Sequence, residues 1–194
     1  HIVIDLRNEF KDIVLTYFIS SYMDGKTPNP CVICNAQIKF SAFYEELKKQ
    51  ELDFDYFATG HYARKNYDIK LSRWQILKGK DLLKDQSYFL CLLNQEQISK
   101  TLFPLGDKTK EEIKQIALDN GLGFLKEREE SQDFIDSSVY PYIFPAEAFT
   151  SGEIVDINGK VLGYHRGLVN YTIGQRKHLG ISGMDEPYYV VGID

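Results

Sequence analysis

Long hydrophobic runs are missing from this sequence, and so are internal repeats, low-complexity tracts and any excess of positive charge. Its longest apolar stretches fall far short of the roughly 20 residues that a membrane-spanning helix needs, so no membrane partner is expected. Cysteine is scarce: three residues cannot pair completely, which excludes a disulfide framework. Nothing reads as a signal peptide, and a reducing cytoplasm is the expected compartment. Lys and Arg number 23 against 28 Asp and Glu, a net charge of −5. A generally cationic nucleic-acid binder is therefore excluded, because phosphate contacts come from lysine and arginine. One local basic face remains, formed by His165, Arg166, Arg176, Lys177 and His178; by composition alone it reads as solvated surface.

What is present is the composition of a globular protein, 43% hydrophobic and 26% charged, long enough at 194 residues to bury one large core or two small ones. The chain opens on HIVIDL, which reads as a buried strand, and closes on YYVVGID, another strand-like run. Both ends are expected to continue into further sequence. Phe10, Ile13, Val14, Tyr17 and Phe18 share a helical face ending near Gly25, and IKFSAFYEELKKQ predicts a second helix. Phe54–Thr59 reads as a buried strand broken at Gly60, SRWQILKGK as a short surface strand, and SYFLCLLNQEQISKTLF as mostly helical. DKTKEEIKQIALDNGL carries helix signals at both ends, acidic residues first and Gly121 last. Strand, helix, strand in succession predicts a parallel α/β sheet over residues 1–135. Residues 136–150, with Pro141 and Pro145 and no sustained period, read as a linker. Residues 151–194 read as a small β-rich unit, with Asn158-Gly159 turning a hairpin.

The stretch TPNPCVICNAQIKF places Cys31 and Cys34 three residues apart at the end of a loop stiffened by Pro28 and Pro30. If Cys34 opens the helix continuing through Phe40, its sulfur lies near unpaired backbone N–H groups that favour thiolate. Structural zinc takes four ligands in paired elements, and no second C-x-x-C or H-x-x-x-H is present. A cluster on Cys31, Cys34 and Cys91 is the remaining metal reading; against it, Cys91 within SYFLCLL reads as a small buried hydrophobe. A thioredoxin-like pair lacks its usual context. ATGHYAR sets Gly60 and His61 just past an apolar strand, at the sheet edge where open α/β folds bind ligands. Lys84, Asp85 and Gln86 precede an apolar segment, where Asp85 also suits a helix cap.

Read together and in order, GKTPNPCVICNAQIKF, FDYFATGHYAR, KDQSYFL, LFPLG, ESQDF and GEIVDINGKVLGYHRGLVNYTIGQRKHLGI resemble the MnmA/TrmU family of tRNA-uridine 2-sulfurtransferases. The resemblance covers nearly the whole chain. It implies an α/β fold: part of a Rossmann-like N-type ATP-pyrophosphatase domain, then a small β-rich central domain. It implies ATP-dependent sulfur transfer, with Mg2+, to C2 of the wobble uridine, the sulfur arriving as a cysteine persulfide from an upstream carrier or cysteine desulfurase. Carried over residue by residue, Cys34 corresponds to the nucleophile and Gly60 to an ATP contact. Asn29, Pro30, Cys31, His61, Lys84, Asp85 and Gln86 correspond to tRNA contacts.

Four departures stand beside the likeness. The family's SGG-x-D-S loop does not occur in these residues. Cys31 stands where many members have aspartate, and ESQDFIDSS has no cysteine where many members carry a second catalytic one. Cys31 then becomes the candidate persulfide or disulfide partner of Cys34. The alternatives are a tRNA-binding relative without sulfur transfer and an iron-sulfur-dependent thiolase. His178 also replaces the glycine usual in GQRKGLG.

Overall fold

A computed structural model describes residues 1–52, 54–125, 134–181 and 186–194. Most of ESQDF, including residues 130–133, lies outside the described residues. The chain divides into two compact units, residues 1–13 with 31–132, and residues 14–30 with 133–194.

In the first unit, a helix over residues 30–49 lies against two small sheets. Strand β1, Phe57–Ala58, pairs in parallel with β4, Thr101–Leu102, while β2, Ala63–Asp68, and β3, Arg73–Lys78, form an antiparallel hairpin. Between β3 and β4 come a 3-10 turn, Ser87–Leu90, and a short helix, Gln95–Ser99. The core joins Ala36 and Phe40 of the long helix to Ala63, Leu90, Leu93 and Ile98, with Phe57, Trp74, Ile76 and Phe103 around them. Lys65 fastens the hairpin to the short helix. Its ammonium lies 4.4 Å over the Trp74 ring and donates to the terminal carbonyls of Ile98 and Ser99 at 3.1 and 2.7 Å.

Three sequence expectations change here. HIVIDL forms no strand; Ile2 and Val3 are 56% and 80% exposed, and among the described residues no strand pairs with 1–6. β-branched residues favour strands only where a partner and a covered face exist. The strand expected from Phe54 is hydrogen-bonded as a strand only over Phe57–Ala58. The helix expected across SYFLCLLNQEQISKTLF breaks because Asn94 starts a new one: its side chain accepts from the Gln97 N–H, and the Gln97 side chain accepts from the Asn94 N–H. The helix at Lys110–Asp119 forms as its end signals require, with a Thr109–Glu112 capping box and Gly121 at φ +77°.

The second unit centres on Phe18, whose ring meets Tyr22, Phe134, Tyr140 and Phe144 at 5.1 to 6.0 Å between centroids. Residues 136–150 contain three helical turns, Ser137–Val139, Tyr140–Ile143 and Ala146–Phe149, and bury Phe144 and Ala148. The expected hairpin is present: β5, Gly152–Val155, pairs antiparallel with β6, Val161–His165. Its turn is set by the Asp156 carboxylate, which accepts from the N–H groups of Asn158 and Lys160, and by Gly159 at φ +82°.

Candidate active site

The cysteine helix begins at Pro30, whose missing N–H costs nothing in a first turn. Cys31 therefore lies in that first turn, and Cys34 stands one turn inside it. This corrects the expectation that Cys34 opens the helix. From Cys34 to Ala42 the backbone is a π-helix, and the Phe43 N–H reaches back five residues to the Ile38 carbonyl. In an α-helix residues five apart point about 140° away from each other; the wider winding turns Lys39 back toward the face that carries Cys34. Two side chains hold this winding. Gln97 donates its amide to the carbonyls of Ala36 and Phe40 at 3.0 and 2.8 Å. Buried Asn35 donates to the Phe89 carbonyl at 3.0 Å.

At the end of β1 an open cleft of about 430 Å³ is lined by Lys39, Phe57, Ala58, Thr59, Gly60, His61 and Gln86. His61 is oriented by Thr59, whose hydroxyl lies 2.9 Å from Nδ1, and by the rings of Phe40 and Phe103. When that hydroxyl donates, Nε2 carries the ring proton and is the donor left for a ligand. Burial, reinforced by the Lys39 charge, pulls the His61 pKa down to about 4, so the ring is neutral near pH 7. An unfolded histidine titrates near 6.5, so below that pH the unfolded chain binds the extra proton. Stability from this group is present above pH 6.5 and is lost as pH falls toward 4. Urea unfolding of His61→Gln should show a pH 4.5–6.5 slope shallower than the parent by about 1–2 kcal/mol over that window. Equal slopes would show that the imidazole is not held neutral.

Lys84, Asp85 and Gln86 form the loop beside the cleft. Burial raises the Asp85 pKa, but hydrogen bonds outweigh it and the net shift is downward. The carboxylate accepts from the Gly79 N–H at 2.8 Å, the Ser87 hydroxyl at 2.8 Å and the Ser87 N–H at 3.3 Å. Those bonds make Asp85 the brace of the loop. Gln86 is locked to Tyr62 in both directions, its Oε1 accepting from the Tyr62 N–H and its own N–H donating to the Tyr62 carbonyl. Gln86 thus lines the cleft from a fixed backbone, and Lys84 stands half-buried beside it.

The three thiols differ in surroundings. Cys31 and Cys91 are exposed, Cys34 is half-buried, and all three are free. Cys91 is thus not the buried hydrophobe that its apolar neighbours indicated. Among the described residues no group of three His, Cys, Asp or Glu side chains gathers to hold a metal ion. Burial raises the Cys34 pKa; Lys39 opposes that rise and Cys31 adds to it. The expectation of a thiol ionised by the helix end is corrected: Cys34 is one turn too deep, and desolvation wins.

In the second unit, Asn29 precedes the helix with its N–H 3.3 Å from the Tyr17 hydroxyl. Arg166, Arg176, Lys177 and His178 are exposed, whereas His165 is half-buried against Tyr171. His178 adopts φ +63°, a conformation that favours glycine and accounts for the glycine usual at that point in the motif. Lys39, Thr59 and Gln97 are the site residues that sequence reasoning missed. The signal for Lys39 was its five-residue spacing from Cys34, which carries meaning only once the helix is known to be π-wound.

The first unit is an α/β domain whose cysteine helix brings Lys39 to a strand-end cleft, and a small β-rich segment follows it in the chain. The family described as "tRNA methyl transferase HUP domain" matches residues 1–136, and that described as "tRNA methyl transferase PRC-barrel domain" matches residues 143–194. The chain belongs to this family of Rossmann-like HUP and PRC-barrel proteins, the MnmA/TrmU family of the sequence motifs. It is 47% identical over its whole length to "tRNA-specific 2-thiouridylase MnmA 2" of Thermoanaerobacter sp. (strain X514), covering 54% of that protein. Proteins named "tRNA-specific 2-thiouridylase MnmA" from Moorella thermoacetica, 44% identical over 99% of this chain and 54% of the relative, and Treponema denticola, 46% over 100% and 54%, are similar in the same way. The chain spans about half the length of the curated relatives it matches.

Proposed function

We propose that the full protein is a tRNA sulfurtransferase that makes 2-thiouridine at the wobble position, with ATP as co-substrate and Cys34 as the sulfur-transferring nucleophile. The observation that carries this reading is the placement of Cys34 and Lys39 on one helix beside the Gly60–His61 cleft. Relatives named as tRNA-specific 2-thiouridylases support it. In this reading residues 1–135 carry the catalytic domain and 151–194 the tRNA-contacting domain, joined through 136–150. The tRNA contacts are Asn29, Pro30, Cys31, His61, Lys84, Gln86 and the loop that Asp85 braces. The protein acts in the cytoplasm and takes its sulfur from a cysteine desulfurase or a sulfur carrier.

ATP converts the C2 oxygen of the uridine into a leaving group. The cleft fits the nucleotide contact proposed for Gly60, because a Cβ there would meet only the Leu105 side chain, at 3.7 Å. Among the described residues the cleft offers a single cation, Lys39, so the triphosphate grip is not built from these residues. Nor is a set of carboxylates gathered among them to cage Mg2+; that ion keeps several waters and is usually held through substrate phosphates.

The persulfide on Cys34 attacks C2 through its outer sulfur, and the C2–O bond breaks as AMP leaves with the electron pair. The base is then joined to Cys34 by a disulfide. The Cys31 thiolate attacks the Cys34 sulfur, the bond to the transferred sulfur breaks, and 2-thiouridine departs. A dithiol reductant returns the Cys31–Cys34 disulfide to two thiols. Residues three apart on a helix have Cβ atoms roughly 5–6 Å apart, and a disulfide brings them to about 4 Å. That distance asks only for a small local unwinding at the helix start.

The full-length protein, incubated with ATP, unmodified tRNA, and a cysteine desulfurase with cysteine as the source of persulfide sulfur, is expected to yield 2-thiouridine on nucleoside mass spectrometry. Tight tRNA binding with no product would replace this reading with that of a binding protein.

A further inference from the structure

Lys39 lies inside the cysteine motif, where the sequence alone assigned it no role, yet it stands between the site's two halves. It shares a helix with Cys34, five positions on, and lines the cleft that holds Gly60 and His61. Among the described residues lining that cleft it is the only cation, since the His61 imidazole is neutral near pH 7. Its side chain is exposed and packs into no core, so structural support is not its task.

We infer that Lys39 is the positioning cation of the sulfur-transfer site: its ammonium stabilises the anionic sulfur on Cys34 while facing the place where the anionic leaving group departs. The inference rests on the reading of Cys34 as nucleophile and adds to it the group that offsets the cost of charging the sulfur. Burial outweighs the Lys39 charge and leaves the resting Cys34 thiol less acidic than a free one, so Lys39 limits a rise that would otherwise be larger. A persulfide or thiolate there needs a counter-charge. The π-winding supplies it without placing the lysine against the sulfur in the core. The other groups around the thiol do not serve. Cys31 opposes ionisation, and residues 87–91, the Ser87–Leu90 turn with its last neighbour, bring only exposed Tyr88 and Cys91. Glu96 on the Gln95–Ser99 helix is paired with Lys100 at 3.0 Å.

The test reads Cys34 itself, by peptide mass spectrometry of iodoacetamide labelling across pH 6–10 in the full-length protein, without tRNA or ATP. Lys39→Met should slow labelling at pH 8 about three- to ten-fold and move the midpoint up by roughly half to one unit. Lys39→Glu should move it further, and Lys39→Arg should stay within about two-fold of the parent. In the thiolation assay Lys39→Met should lower kcat and leave KM for tRNA nearly unchanged. Unmoved midpoints in both Lys39→Met and Lys39→Glu, or an arginine variant as slow as the methionine one, would overturn the inference while leaving the thiolase reading intact. A parent protein that makes no 2-thiouridine would overturn the thiolase reading even if the midpoints move.

Discussion

Replacing Cys34 with serine is expected to lower tRNA thiolation by roughly a thousand-fold or more, the scale seen when a covalent nucleophile is removed. Replacing Cys31 with serine is expected to give a different failure. The first half of the reaction survives, because the attack on C2 uses only the sulfur carried by Cys34. The second half has no internal thiol to break the disulfide between base and protein. Without added reductant, the parent should release one equivalent of 2-thiouridine and stop as the Cys31–Cys34 disulfide, whereas Cys31→Ser should stop earlier and accumulate a tRNA–protein adduct. Gel electrophoresis should show that adduct under non-reducing conditions, and dithiothreitol should release 2-thiouridine from it. The Cys34→Ser protein should form none. The geometry supports this division, since Cys34 is half-buried beside Lys39 whereas Cys31 is exposed in the first helical turn. Release of 2-thiouridine by Cys31→Ser without reductant, with no adduct, would remove Cys31 from the relay.

Gly106→Ala is expected to destabilise the first unit by about 3–5 kcal/mol, the cost typical of an overpacked or displaced core backbone. A methyl group at Gly106 would collide with the Ala63 carbonyl oxygen, lie 2.7 Å from its carbonyl carbon and stand 2.9 Å from the Arg64 Cγ. Two of those three neighbours are backbone and cannot swing aside. Ala63 is fully buried at the start of β2, and the Gly106 carbonyl accepts from the Lys80 N–H at 2.8 Å. The glycine of LFPLG thus lets one loop lie directly on the first residue of a strand. Gly192→Ala is the fitting control, because no atom lies within 4 Å of its added Cβ. A thermal melt should show Gly106→Ala lowered by at least about 6 °C and Gly192→Ala within about 2 °C of the parent. Equal melting temperatures would show that the loop relaxes freely.

Elements whose signals are local were legible in the sequence. The Asn158-Gly159 hairpin and the Lys110–Asp119 helix carry their turn and cap chemistry within a few residues, and both form. The proline-stiffened entry to the cysteine helix and the glycine break after β1 were legible for the same reason. HIVIDL misled because strand propensity says nothing about whether a partner strand is present. The break at Asn94 was written in its capping residues but was outweighed by the apolar run around it. The state of the Cys34 thiol was not readable at all. Whether burial or a helix end sets its acidity depends on which residue begins the helix and on what packs over the sulfur.

The winding of the cysteine helix also bears on how its variants should be compared. Deleting Ser41 or Ala42, which leaves the five-residue spacing from Cys34 to Lys39 intact, offers the backbone an ordinary α-helix of nearly the same length. Such a chain would fold, keep both cysteines and align well with its parent, yet sulfur and ammonium would point to different sides. In this segment the number of residues is itself a functional quantity, as binding as their identity.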